Sequence, residues 1–399
     1  MIRFCDICVA YFSQRIYRKW TMDKTITNPF IISGYISPEY FCDREQETND
    51  LLEALENGRD VTLTSPRRMG KTGLILHTFH LLKKRHPKTV TIYIDLFSTE
   101  SLSDFTRLFA AEVLTKLDSN PMKVFKQAAS VIKGIRPNIT IDGVTGNAKV
   151  GIDLVQGQEE HTLSQVFEYL KNSGKECLIA FDEFQQIAQY PQKNVEALLR
   201  TYIQNNHNAH FIFSGSQAHL LNEMFLSPKR PFYQSTSNKS IGKIDKDSYY
   251  KFAARFFSLQ GRALPEDVFD AIYNQFDGHT WYIQKMMNQL YGDKSGDISE
   301  DVSLEALNDI LNENEYYYQM LLRSYTRGQA NLLKAVASEG TVKEITAGSF
   351  ISKYGLTATS SVKSALKRLL EDEVLYYSTD GYMIYDRFFG QWLNRTFKK

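Results

Sequence analysis

Cysteine is scarce in this chain, long apolar runs are missing, and neither sign of charge dominates; each shortage removes a class of protein. Four cysteines (Cys5, Cys8, Cys42 and Cys177) are too few to staple 399 residues, so a reducing cytoplasm is the expected setting. Cys5 and Cys8 have the spacing of half a zinc site, yet no second pair of cysteines or histidines stands at zinc-finger spacing to complete four ligands. No apolar stretch approaches the roughly 18 to 20 residues that cross a bilayer, and no membrane partner is expected. The first 21 residues are basic and aromatic with no uninterrupted apolar core, unlike an export signal. Residues 1–28 read as a disordered tail, or as a start placed upstream of a natural one at Met22. With 47 Lys and Arg against 46 Asp and Glu, the net charge is +1, so any basic site for nucleic acid has to be local.

What is there suffices for folding. The chain is 43% hydrophobic, which supplies cores without disulfides, and 399 residues at about 150 per domain argue for two or three packed units. From residue 40, FCDREQETNDLLEALENG carries Leu51, Leu52 and Leu55 at helical spacing and closes on Asn57 and Gly58, a helix stop. DVTLTS at 60–65 is a β-branched strand, followed by a glycine-containing loop and the apolar-periodic GLILHTFHLLKKR. Further strands are predicted at 89–96 (TVTIYIDL), 177–184 (CLIAFDEF) and 210–215 (HFIFSG), with a last one near 240–244, and helices lie between them. That alternation predicts a mostly parallel, three-layer α/β sheet. Residues 134–158 interrupt it with two alternating stretches that read as an inserted hairpin, a decoration on the core.

From Asp247 the pattern is purely helical, and GDKSGDISED at 292–301 is a polar break before a long helix from about Ser303. The last eighty residues give three helical blocks and then VLYYSTDGYMIYD, an Asp-Gly hairpin, the grammar of a winged helix-turn-helix. The predicted organisation is a tail (1–28), an α/β core (29–245), a helical lid (246–300) and a linker helix with a winged domain (301–399).

The sharpest chemical string is SPRRMGKT, which matches the phosphate loop G-x-x-x-x-G-K-[ST] with Ser65 in place of the first glycine. Ser65, Pro66, Arg67, Arg68, Met69 and Gly70 would cradle phosphates with Lys71, Thr72 and Gly73 at the start of the helix. Gly70 lets the main chain come close, Lys71 reaches the β and γ oxygens, and the Thr72 hydroxyl is suited to magnesium. Free amides and the positive end of the helix dipole add to the cradle. A bare GK[ST] arises by chance in about one such chain in five, so the strand before it and the helix after it carry the assignment.

The second piece is LIAFDEF, where a buried strand ends in two acids at the edge where open α/β sheets bind ligands. Asp182 is assigned to Mg2+ and Glu183 to the attacking water. Ser214 and Ser216, at the end of the next strand, are candidates for contact with the γ-phosphate or the water, or belong to a turn. Arg67 and Arg68 touch phosphate, a neighbouring subunit or a ligand, or are solvated.

On these residues the chain resembles the archaeal-type ATPases, in the STAND branch of AAA+ P-loop proteins, over roughly residues 29–399. FCDREQE at 41–47 is similar to that family's hhGRExE motif, with Asp43 in place of glycine and Arg44, Glu45 and Glu47 retained. The resemblance implies that Arg44 and Glu45 lie near the base and ribose. SGS at 214–216 resembles the sensor-1 segment, and FDGHTWYI at 276–283 resembles the segment with the GxP signature, Thr280 standing for the proline. YMIYDRFFGQWL resembles the closing hairpin and helix of the winged domain. The same resemblance implies an ATPase that binds ATP and Mg2+, hydrolyses slowly and acts as a switch, with catalytic Lys71, Glu183 and Ser214. The alternative is a nucleotide-sensing scaffold or DNA-binding regulator with little turnover. Arg200 lies where relatives present an arginine finger to a neighbour. In the winged domain, Ser360, Lys363, Ser364 and Lys367 share one helix face, and residues 320–399 hold twelve Lys and Arg against seven Asp and Glu. Double-stranded DNA, a protein partner and ATP-dependent self-assembly are the partners that remain open.

Overall fold

In the computed structural model, residues 26–118, 134–141, 148–293, 296–378 and 380–397 are described. The tail at 1–21 and the Cys5, Cys8 pair lie outside the described residues. The described chain forms two compact units: residues 33–252 with 273–283, and residues 253–272 and 284–397 with 26–32.

The first unit alternates helix and strand: α1 (Glu45–Glu56), β1 (Val61–Thr64), α2 (Lys71–Arg85), β2 (Val90–Asp95) and α3 (Leu102–Leu117), then β3 (Ile135–Ile141), β4 (Ala148–Leu154) and α4 (Glu159–Asn172). It continues through β5 (Cys177–Asp182), α5 (Val195–Gln204), β6 (Ala209–Gly215), α6 (Ala218–Leu226) and β7 (Ser237–Ser240). Strands β2, β5, β6, β1 and β7 make a sheet in that order, every pairing parallel. Because successive side chains on a strand point to opposite faces, β5 feeds two cores. Ile179 and Phe181 join one with α3 and α4, while Leu178 and Ala180 join the other with Leu51 and Leu55 of α1 and Leu74 and Ile75 of α2. Helices on both faces of a parallel sheet are the three layers expected, since such a sheet has to be covered twice.

Two expectations about the first unit are corrected. β7 stands at 237–240, not 240–244, pairing Val61 with Ser237 and Thr64 with Ser240. The apolar Ile241 and Ile244 that suggested the later position are buried just past the strand. Nor is the hairpin of β3 and β4 mere decoration. It pairs Ile135 with Leu154 and Pro137 with Ile152, and Ile135 and Ile152 are buried in the same core as Phe105 and Phe167.

The helical stretch from Asp247 becomes α7 (Lys246–Leu259), α8 (Glu266–Gln275) and α9 (Thr280–Gly292). The long helix expected from Ser303 is two, α10 (Glu300–Glu313), whose cap Ser299 accepts from the Val302 amide, and α11 (Glu315–Arg323), with the break at Asn314. Then come α12 (Arg327–Glu339), α13 (Gly348–Lys353), α14 (Thr359–Glu371), the antiparallel pair β8 (Leu375–Ser378) and β9 (Gly381–Ile384), and α15 (Arg387–Phe397). α12 opens on a capping box between Thr326 and Gln329. A bridge from Val342 to Tyr382 adds a third edge to the wing. α15 buries Phe388, Phe389, Trp392 and Leu393 along one stripe, each apolar side chain of this kind being worth about 1.5 to 3 kcal/mol, and Trp392 packs 5.8 Å from Tyr318 of α11.

Candidate functional site

β1 runs into a loop that turns straight into α2, and the turn needs left-handed backbone at Arg68 (φ 64°) and Gly70 (φ 96°). Inside the loop, the Lys71 ammonium donates to the Ser65 carbonyl at 2.9 Å, the Ser65 hydroxyl at 3.2 Å and the Pro66 carbonyl at 3.1 Å. Ser65, standing where glycine was expected, thus supplies an extra acceptor to Lys71. Lys71 is 6% exposed, and burial pulls its pKa down against the upward pull of Glu183 and Asp182.

Across the sheet edge, Asp182 closes β5 at 4% exposure. Its Oδ2 accepts from the Thr72 hydroxyl and from the Tyr93 hydroxyl, each at 2.7 Å. Its Oδ1 accepts from the Ser214 hydroxyl and, at 3.1 Å, from the Glu183 amide. The loop and the acidic strand end, 110 residues apart, therefore meet in one hydrogen bond. Thr72 and Asp182 offer hydroxyl and carboxylate oxygens side by side, the hard donors magnesium requires. Glu183 adopts φ 53°, and its Oε2 accepts from Ser216 Oγ at 2.7 Å, Ser216 N at 3.3 Å and Gln185 Nε2 at 2.5 Å.

Arg67 donates from Nε to Ser216 Oγ at 3.1 Å. Arg68 lays its guanidinium 4.1 Å above the Trp281 ring, and its carbonyl accepts from the Trp281 amide at 3.2 Å. Arg44 is buried, donating to the Met69 carbonyl at 3.3 Å and the Gly242 carbonyl at 2.8 Å while pairing with Glu47 at 2.7 Å. It braces the loop main chain from behind. Glu45 is exposed on the first turn of α1, and Gly73 lies under Phe41, whose ring would stand 3.3 Å from an added Cβ. Arg200 donates to the Pro231 carbonyl at 3.2 Å and feels Asp60 at the foot of β1, the strand end opposite the loop.

Sequence reading missed Tyr93, Asp95 and Gln185. Tyr93 and Asp95 share the strand-end face of β2 at i and i+2, and Asp95 is the register partner of Asp182, a period-2 signal that was legible in TVTIYIDL.

A phosphate loop after β1, facing the acids at the end of β5 on the far side of β6, places the protein among the P-loop nucleoside triphosphatases. The chain belongs to the family described as "ATPase domain predominantly from Archaea", which matches residues 41–286, and ATP binding and hydrolysis are the activities of that class. Residues 316–395 match a second family, described as "Probable winged helix domain". An uncharacterized ATP-binding protein of Pyrococcus horikoshii is 31% identical over 155 residues, 37% of this chain, and the match spans 44% of that relative's length. Among solved structures, a Walker-type ATPase of Pyrococcus abyssi superposes with a TM-score of 0.61 at 19% identity, covering 92% of this chain and 99% of that one. The Aeropyrum pernix ORC2 protein, in ADPNP and ADP complexes, gives a TM-score of 0.57 at 15% identity over 93% and 98% of the two chains. Both likenesses concern the fold. No described helix is long and apolar enough to cross a membrane.

Proposed function

We propose that the protein binds Mg-ATP at the carboxyl edge of its parallel sheet, hydrolyses it slowly and works as a nucleotide-dependent switch. The observation that supports this most is the 2.7 Å contact of Thr72 with Asp182 beside a loop already gathered around Lys71. In this reading Thr72 and Asp182 would hold Mg2+, which would supply neutralisation of the phosphate charge. Lys71 leaves the Ser65 and Pro66 carbonyls to meet the phosphate oxygens. Glu183 orients the water and takes its proton, and Ser214 holds the Asp182 carboxylate in place. The ORC2 protein's complexes with nucleotides, and the ATP-binding description of the Pyrococcus horikoshii relative, agree with it.

Phosphate release tests the assignment. Lys71→Ala is expected to abolish ATP binding, and Glu183→Gln to bind ATP while losing turnover by about a hundredfold or more. Unchanged phosphate release in Glu183→Gln refutes the hydrolytic role. A second reading, duplex DNA at the winged domain, draws on the exposed Lys363, Lys367 and Arg368 of α14.

A further inference from the structure

The turn after Glu183 contains a buried amide whose oxygen has no hydrogen-bond partner. Gln185 is 1% exposed, its Nε2 donates to Glu183 Oε2, and its Oε1 is buried with no partner. An orphaned acceptor costs stability, so it stays only where packing dictates its place. The packing is visible at Gly215, the last residue of β6: a Cβ there would stand 2.0 Å from Gln185 Oε1 and 2.7 Å from Leu221 Cδ1. Only a bare main chain admits the amide. Next to it, the Phe184 ring sits 4.6 Å from Phe213 and 5.6 Å from Phe232, which anchors the turn in the core.

On the other side, Ser216 donates to the same carboxylate oxygen while its own oxygen accepts from Arg67 of the phosphate loop. A serine hydroxyl has one proton, so accepting from Arg67 leaves that proton for Glu183. Three donors from two strand ends thus converge on Oε2, and no hydrogen bond among the described residues engages Oε1.

We infer that Gln185 is a positioning residue for Glu183, with Ser216, itself oriented by Arg67, as its counterpart, so that the aim of the acid is set jointly by a buried amide and by the phosphate loop. This inference rests on the reading of Glu183 as the hydrolytic base. Oε2 is the held oxygen, and Oε1 is the one available to a water.

Gln185→Leu keeps the volume and removes the donor. The expected result in the full chain is a fall in kcat of about tenfold to a hundredfold, with KM for ATP within about twofold of wild type. Ser216→Ala is expected to lower kcat in the same way, and Ser216→Thr to restore it. A merely structural role would lower the melting temperature and disturb KM together with kcat, whereas a positioning role lowers kcat with KM held. Wild-type kcat in Gln185→Leu, alongside a dead Glu183→Gln, overturns this inference alone; full activity in Glu183→Gln removes the base assignment and the inference with it. Should Gln185→Leu fail to fold, the Ser216→Ala and Ser216→Thr pair decides, a wild-type kcat in Ser216→Ala counting against the inference.

Discussion

Asp182 shows how far a single residue can be read ahead of the structure. Its strand-end position, and those of Thr72 and Ser214 within their own strings, are written in local sequence because each motif is a strand or helix terminus with a fixed chemistry. Tyr93 has no motif and reaches Asp182 only because parallel register sets β2 beside β5. Since partners of a metal-holding carboxylate tune its affinity, Tyr93→Phe is expected to raise the Mg2+ needed for half-maximal phosphate release about tenfold. A Mg2+ titration unchanged by the substitution would count against Asp182 as the ligand. A second acid has a consequence for stability alone. Asp60, at the foot of β1, accepts from the Phe211 amide at 2.8 Å, and burial pushes its pKa up to about 6 against that bond and the pull of Arg200. The unfolded carboxyl releases its proton near pH 4, so the contribution of the protonated form is complete below about pH 4 and is lost as pH rises through 6. Two pH units correspond to about 2 to 3 kcal/mol as an upper bound. Asp60→Asn, which keeps an acceptor for Phe211, is therefore expected to gain about 1 to 2 kcal/mol in urea unfolding at pH 8 and nothing at pH 4.

Among elements, those with a strong period were legible and those defined by their neighbours were not. α1, α2 and α3 carry apolar stripes at helical spacing and lie where the periodicity puts them. β7 reads Ser-Asn-Lys-Ser, a polar edge strand that exists because β1 offers it a ladder, and nothing in four polar residues announces that. The hairpin of β3 and β4 was legible as a hairpin but not as part of the core, because alternation gives one apolar face without saying what covers it. Ile135 and Ile152 enter the cluster built by α3 and α4, so the insertion is bound into the first unit's stability. Truncating Ile152 to Ala leaves a cavity under α3 and is expected to cost about 2 to 4 kcal/mol. The measurement is chemical denaturation with and without ATP; a loss below about 0.5 kcal/mol would return the hairpin to the status of a decoration.

For the molecule as a whole, two chemistries belong to two different units: loop, acids and serines lie within residues 33–252, and α14 is part of the winged helix in the other unit. Nucleotide occupancy is thus expected to show as linkage on the first unit. At a hundredfold excess over Kd, Mg-ATP adds about 2.7 kcal/mol to its unfolding free energy, and Lys71→Ala removes the gain. The DNA reading belongs to the other unit, and the near-zero net charge of the chain concealed its local basis. Twelve basic against seven acidic residues leave +5 over residues 320–399. On α14, however, Lys367 pairs with Glu371 at 3.9 Å and Arg368 with Asp372, the residue that caps the helix, at 3.0 Å, so part of that charge is already answered locally. If Lys363, Lys367 and Arg368 each meet a phosphate, log K for duplex DNA is expected to fall with log salt at a slope of about −2.7, from about −0.9 per contact. Lys363→Ala is then expected to flatten the slope by about one. A slope near zero, or one that Lys363→Ala leaves unchanged, would turn the winged helix from a DNA reader into a docking or clamping element, because counterion release is the one signature a phosphate-facing helix cannot avoid.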